Sequence, residues 1–142
     1  MTNIERYNII ETAKGYIGLT GSDRGFMIDW YNSFEKKPRN VKANIMQAWC
    51  ALFVSYVVGI NGLTELREIS CGRMIENAKN LGLWVEDDGH TPHTGDIIMY
   101  DWQDTKNQGK DNRGWPDHTG IITDVNGNYF TVTEGNFNNR VQ

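Results

Sequence analysis

Of the side chains able to do covalent chemistry near neutral pH, Cys50 stands in the most telling place. It lies in Gln47-Ala48-Trp49-Cys50-Ala51-Leu52-Phe53-Val54-Ser55-Tyr56-Val57-Val58, where a polar segment gives way to an apolar run long enough for a buried helix. A thiol at the first turn of such a helix meets unpaired N–H groups and the positive end of the helix dipole, and both favour thiolate. Lowering the pKa is what turns a cysteine into a nucleophile, since an ordinary thiol is mostly protonated at neutral pH. Local sequence alone fits a small buried packing residue equally well.

A cysteine nucleophile also requires a base to take its proton and a third group to fix that base's tautomer. Histidines stand at positions 90, 93 and 118. His118 opens a strand-like segment, and Glu134 closes the next one in Val132-Thr133-Glu134-Gly135-Asn136. A hairpin would hold imidazole and carboxylate rigidly, but only with the right parity. A two-residue turn at Asn126-Gly127 pairs position 118 with 135 and sends His118 and Glu134 to opposite faces. A three-residue loop over 125–127 pairs 118 with 134, and one over 126–128 pairs it with 136. The chemistry therefore demands an odd loop or a bulge.

The elements that must position these groups are legible in outline. Thr2-Asn3-Ile4-Glu5 is a capping-box pattern, and Ile9, Ile10, Ala13 and Ile17 recur at helical spacing, predicting a helix over about 3–17. Phe26 to Phe34 reads as a short aromatic-rich helix. The Cys50 helix, closed by Asn61-Gly62, is apolar on every side and should be the central one. Ser70 can cap a further helix whose apolar face is Met74, Ile75, Ala78 and Leu81, stopped by Gly82. Cys71 falls on that face at the first turn and reads as a packing residue. Strands are expected at Leu83-Trp84-Val85, Ile97 to Asp101, Thr119 to Val125 and Tyr129 to Glu134, with Gln103 to Trp115 a polar loop. Helices first and an antiparallel sheet second make the fold class α+β.

The chain of 142 residues is expected to form one domain with a core that requires no covalent staples. Two cysteines make no disulfide framework, and a net charge of −4 offers no basic surplus to a phosphate backbone, so no nucleic-acid partner is expected. No apolar run approaches the ~20 residues of a membrane span, and the start lacks the apolar stretch of a signal peptide. Something else must release the protein if it acts outside the cytoplasm.

Four segments in order resemble the CHAP family, the cysteine, histidine-dependent amidohydrolase/peptidase domains of phage endolysins and bacterial wall hydrolases. They are Trp49-Cys50-Ala51-Leu52-Phe53-Val54-Ser55, Thr94-Gly95-Asp96-Ile97-Ile98, Asp117-His118-Thr119-Gly120-Ile121 and Glu134-Gly135-Asn136. Ser70 to Glu76 and Gly114 to His118 look closest to prophage endolysins of Gram-positive hosts. The resemblance implies a papain-like fold, with Cys50 as nucleophile, His118 as base, Glu134 as the orienting carboxylate and Asn136 as a further polar residue of the site. It implies peptidoglycan as substrate, cut at the muramoyl–alanine bond or in the stem or cross-bridge peptide, with no cofactor, no membrane partner and a monomeric enzyme acting on the cell wall. The Cys50 amide is the natural oxyanion donor. Gln47 and Trp115 are further candidates for oxyanion or substrate contact, with Asn136 an alternative second donor.

Two departures from the family pattern stand out. Some members bind calcium through aspartates just before the cysteine helix, whereas 39–47 here carries no carboxylate, so no metal is expected. The family also continues past Glu-Gly-Asn into another strand, so this chain is expected to be an excised or truncated part of a longer lysin, with a sheet edge left exposed. Two rival readings remain. One is a metal site at His90 and His93 with Cys71 and Asp96, for which the spacing is wrong for a zinc finger. The other is a catalytically silent wall-binding module, its tryptophans (Trp30, Trp84, Trp102, Trp115) lining a glycan groove.

Overall fold

The computed structural model describes residues 2–86, 91–100 and 118–142. Among the described residues four α-helices precede a three-stranded antiparallel sheet, the α+β arrangement expected. Helix α1 spans Asn3–Gly15 and starts at a complete capping box: Glu5 N–H donates to Thr2 Oγ1 at 3.1 Å, and Thr2 N–H to Glu5 Oε2 at 2.7 Å. It ends before the expected residue 17, because the chain turns through Gly18 at φ 97°. Helix α2 (Gly25–Asn32) buries Met27 and Tyr31. Helix α3 (Cys50–Ile60) hides every residue except Tyr56 and Ile60, and packs against α1, α2, α4 and the second strand. A helix apolar all round belongs in the centre of the fold, and it is there. Helix α4 (Cys71–Asn80) is capped by Ser70 Oγ, which accepts from Arg73 N–H at 3.4 Å.

Leu83-Trp84-Val85 is not a strand. Leu83 and Val85 are more than half exposed and join no ladder among the described residues; the Leu83 amide instead donates to the Ala78 carbonyl at 2.8 Å, and Trp84 lies under the Lys79 ammonium with its indole N–H on Glu86. Local alternation favours a strand, but a strand exists only where a partner completes its ladder.

The sheet consists of β1 (Ile97–Tyr100), β2 (His118–Asn126) and β3 (Tyr129–Thr133), in that order. The Thr-Gly-Asp segment leads into β1 and is tied to α1: Arg6 reaches the Thr94 carbonyl at 3.1 Å and Asp96 Oδ1 at 2.7 Å. The β2–β3 turn is Gly127-Asn128, one residue later than the sequence suggests, closed by Asn126 opposite Tyr129. Pairing runs to Asp124 opposite Thr131 and resumes with Ile122 opposite Val132, leaving Thr123 as a bulge. Without that extra residue the register would turn His118 away from the Glu134 face. With it, the continued register sets Glu134 beside Gly120, and His118 lies two residues along β2 on the same face.

Residues after β3 double back. Glu134 and Gln142 exchange backbone hydrogen bonds at 2.7 and 3.0 Å, and fully buried Val141 pairs with Gly18 and Leu19 at 2.8 Å each. This return ties the end of the sheet to the helical side of the molecule. No helix among the described residues is long and apolar enough to cross a membrane.

Candidate active site

Cys50 is the first residue of α3, which no side chain caps. Backbone pairing begins with Phe53 N–H to the Trp49 carbonyl at 3.0 Å, so the Cys50 amide has no acceptor among the described residues. The head of the helix is held from outside. Trp49 is buried, its indole N–H donates to Asn139 Oδ1 at 3.2 Å, and the Arg24 guanidinium lies over its ring, 5.5 Å from the centroid. Arg24 also donates to the carbonyls of Gly21 (2.6 Å) and Ile45, pinning the loop that enters the helix. Gly135 lets the end of the sheet approach, for a Cβ there would stand 2.5 Å from Phe53 Cβ.

The sheet brings His118 and Glu134 to this helix end. The Cys50 thiol and the His118 imidazole lie within hydrogen-bonding reach, and His118 Nε2 is 2.9 Å from Glu134 Oε2. Nε2 on the carboxylate leaves Nδ1 as the nitrogen that serves the sulfur. All three groups are buried. The diagonal approach of His118 to Glu134 depends on Gly120 between them, where a Cβ would meet Glu134 Cγ at 2.7 Å. Gly inside a strand marks such a close approach, and the Asp-His-Thr-Gly run already carried that signal.

Sequence reasoning missed two contacts. Tyr100 pairs with His118 across β1 and β2, stacks on its ring at 5.9 Å between centroids, and hydrogen-bonds the Glu134 carboxylate. Burial, with the Glu134 charge and that hydrogen bond, pushes the Tyr100 phenol well above its usual range, so it stays a donor. Cys71 is not simply a packing residue: its sulfur lies 3.6 Å from Cys50 Sγ, with no disulfide between them. Both cysteines open helices, and that shared position was the available signal.

Beneath Cys71 runs a polar network. Ser55 Oγ donates to the Glu68 carbonyl at 2.7 Å and accepts from its N–H at 2.8 Å. The Glu68 carboxylate is buried and accepts from Arg39 Nη2 at 2.7 Å and from the Ile69 and Ser70 amides at 2.9 and 3.3 Å. It thereby fixes the chain just ahead of Cys71.

These contacts set the ionisation of the pair. The Cys71 hydrogen bond lowers the Cys50 pKa most, burial opposes it, and hydrogen bonds from His118 and the Thr119 amide with the His118 charge carry it to about 5. For His118, burial is the largest influence and disfavours the charged ring. Hydrogen bonds to Cys50 and Glu134, with their charges, outweigh it and raise the pKa to about 9. Between these values the pair is thiolate and imidazolium, a nucleophile beside a ready acid.

No hydrogen bond joins the other described sequence candidates to these three groups. Asn136 follows Glu134 in a left-handed turn (φ 58°), half-buried, with no hydrogen bond among the described residues. Gln47 uses its carbonyl to accept from Asn44 N–H at 3.0 Å. Trp115, Trp102, His90 and the 103–115 loop lie outside the described residues. Of the rival metal ligands, Cys71 sits against Cys50, while Asp96 holds Arg6 and accepts from the His93 amide at 2.8 Å.

The family described as CHAP domain matches residues 41–136, a stretch that contains Cys50, Cys71, Tyr100, His118, Glu134 and Asn136. No curated protein and no solved structure matches the chain. With two thirds of its length matched, and a cysteine helix set against an antiparallel sheet, the chain belongs to the CHAP domain family, whose members are generally cysteine, histidine-dependent amidohydrolases and peptidases of the cell wall.

Proposed function

We propose that this chain hydrolyses an amide bond of bacterial peptidoglycan, with Cys50 as nucleophile. The observation that carries the reading is the Cys50–His118–Glu134 relay: a thiol at an uncapped helix start, in reach of an imidazole whose far nitrogen is held by a carboxylate at 2.9 Å. The Cys50 thiolate attacks the amide carbonyl carbon, and the developing oxyanion takes the Cys50 N–H. His118 protonates the departing amine as the thioester forms. It then takes a proton from water, which attacks the thioester and frees the carboxylate product. Glu134 keeps the imidazole in one tautomer and stabilises its charged form. Asn136 and Gln47 remain the candidates for a second oxyanion donor, the Gln47 amide N–H₂ being the end its tether leaves available. The wall as substrate comes from the family, and either the muramoyl–alanine bond or a stem or cross-bridge peptide bond suits the same chemistry.

The test is clearance of purified walls with mass spectrometry of the released fragments. Wild-type protein should expose one new amine, whose identity names the bond, and Cys50→Ala should release none while remaining folded. Binding of walls by wild-type protein without any new amine would overturn the reading in favour of a silent wall-binding module.

A further inference from the structure

We propose that Cys71 is a positioning residue of this site, its thiol donating a hydrogen bond to the Cys50 sulfur and holding that side chain toward His118. The two sulfurs are 3.6 Å apart, both residues are buried, and each begins a helix. The segment before Cys71 is fixed by Ser55 and the buried Glu68 carboxylate, which takes the Ile69 and Ser70 amides and so sets where α4 starts. A buried thiolate needs donors around it, and the His118 ring and Thr119 amide approach from the sheet while Cys71 approaches from the helical side. The lowered Cys50 pKa accords with this, the Cys71 contact being its largest cause. The inference concerns the state of the thiol and rests on the proposed catalytic role only for its consequence in turnover.

The experiment separates the two. Cys50 in wild type, Cys71→Ala and Cys71→Ser is alkylated with iodoacetamide across the pH range, and the label is located by mass spectrometry. A thiol donates weakly, so its loss should raise the Cys50 midpoint by about one pH unit in Cys71→Ala. Cys71→Ser keeps a donor and should restore at least half of that shift. At pH 5, near the wild-type midpoint, the alanine variant should react about fivefold more slowly at Cys50, and wall hydrolysis should fall in parallel. A midpoint unmoved in Cys71→Ala, or serine behaving as alanine does, overturns the inference. Shifted midpoints in a protein that releases no amine from walls would support the positioning role and sink the hydrolase reading instead.

Discussion

Replacing Gly120 with alanine tests the site without touching any group proposed to react. A Cβ at this position would lie 2.7 Å from Glu134 Cγ, 2.5 Å from Val132 Cγ1 and 3.1 Å from the Thr133 carbonyl oxygen. Non-bonded carbons rest about 3.5–4.0 Å apart, so the Glu134 side chain must retreat by about 1 Å. Its contact with His118, now 2.9 Å, would then pass beyond hydrogen-bonding distance. A misplacement of that size costs about 100-fold in rate, or ~2.7 kcal/mol of barrier. Crowding of Val132 adds an overpacking cost of about 1–3 kcal/mol, a fall in Tm of about 3–10 °C for a chain of this length. Wall hydrolysis would be measured well below unfolding in Gly120→Ala, Glu134→Ala and the double variant. If Gly120→Ala acts by displacing the carboxylate, its penalty should nearly vanish once the side chain of residue 134 ends at Cβ. Penalties that multiply in the double variant, or a folded Gly120→Ala with full activity, would refute the reasoning.

The pH profile of kcat/KM should be bell-shaped, with limbs near the shifted values of about 5 and about 9. Cys50 is lowered, so acid inactivates only when the thiolate is protonated near the lower value. His118 is raised, so base removes the proton donor near the upper one, and a profile rising smoothly through pH 9 would exclude an imidazolium acid. Tyr100→Phe keeps the ring on His118 but loses the hydrogen bond to Glu134, and should lower the rate about tenfold with little change in Tm, measured by wall clearing and calorimetry. Arg39→Met strips the buried Glu68 carboxylate of its cation. Because Arg39 is 39% exposed, the cost should be about 2–3 kcal/mol, below that of a fully buried pair, lowering Tm by about 7–10 °C. Adding Glu68→Gln should recover part of the loss.

What the chain disclosed in advance was local. The capping box at Thr2 and Glu5, the apolar run after Cys50 and the glycine past each of α1, α3 and α4 are one-turn signals, and they folded as read. The sequence also made the chemistry conditional on a parity it could not supply, because the bulge at Thr123 arises where two strands negotiate their register. Tyr100 was unreadable for a similar reason: it meets His118, far along the sequence, only through strand pairing. Cys71 was correctly expected to be buried, but its neighbour is a second thiol 21 residues earlier, on another helix. Leu83 to Val85 shows the converse, a strand-like segment that joins no ladder among the described residues.

The return of the chain after β3 bears on how this domain could be tethered. Gln142 is hydrogen-bonded through its backbone to Glu134, whose side chain holds His118. A module grafted after Gln142 would therefore leave the molecule at the residue beside the relay. A flexible linker of n residues spans about 5–6 Å × √n, so a short graft would keep whatever it grips within a few nanometres of the Cys50 sulfur. Shortening such a linker should raise the effective concentration of wall at the thiol until the graft begins to crowd the relay, and the optimum would measure how much room a substrate requires on that side.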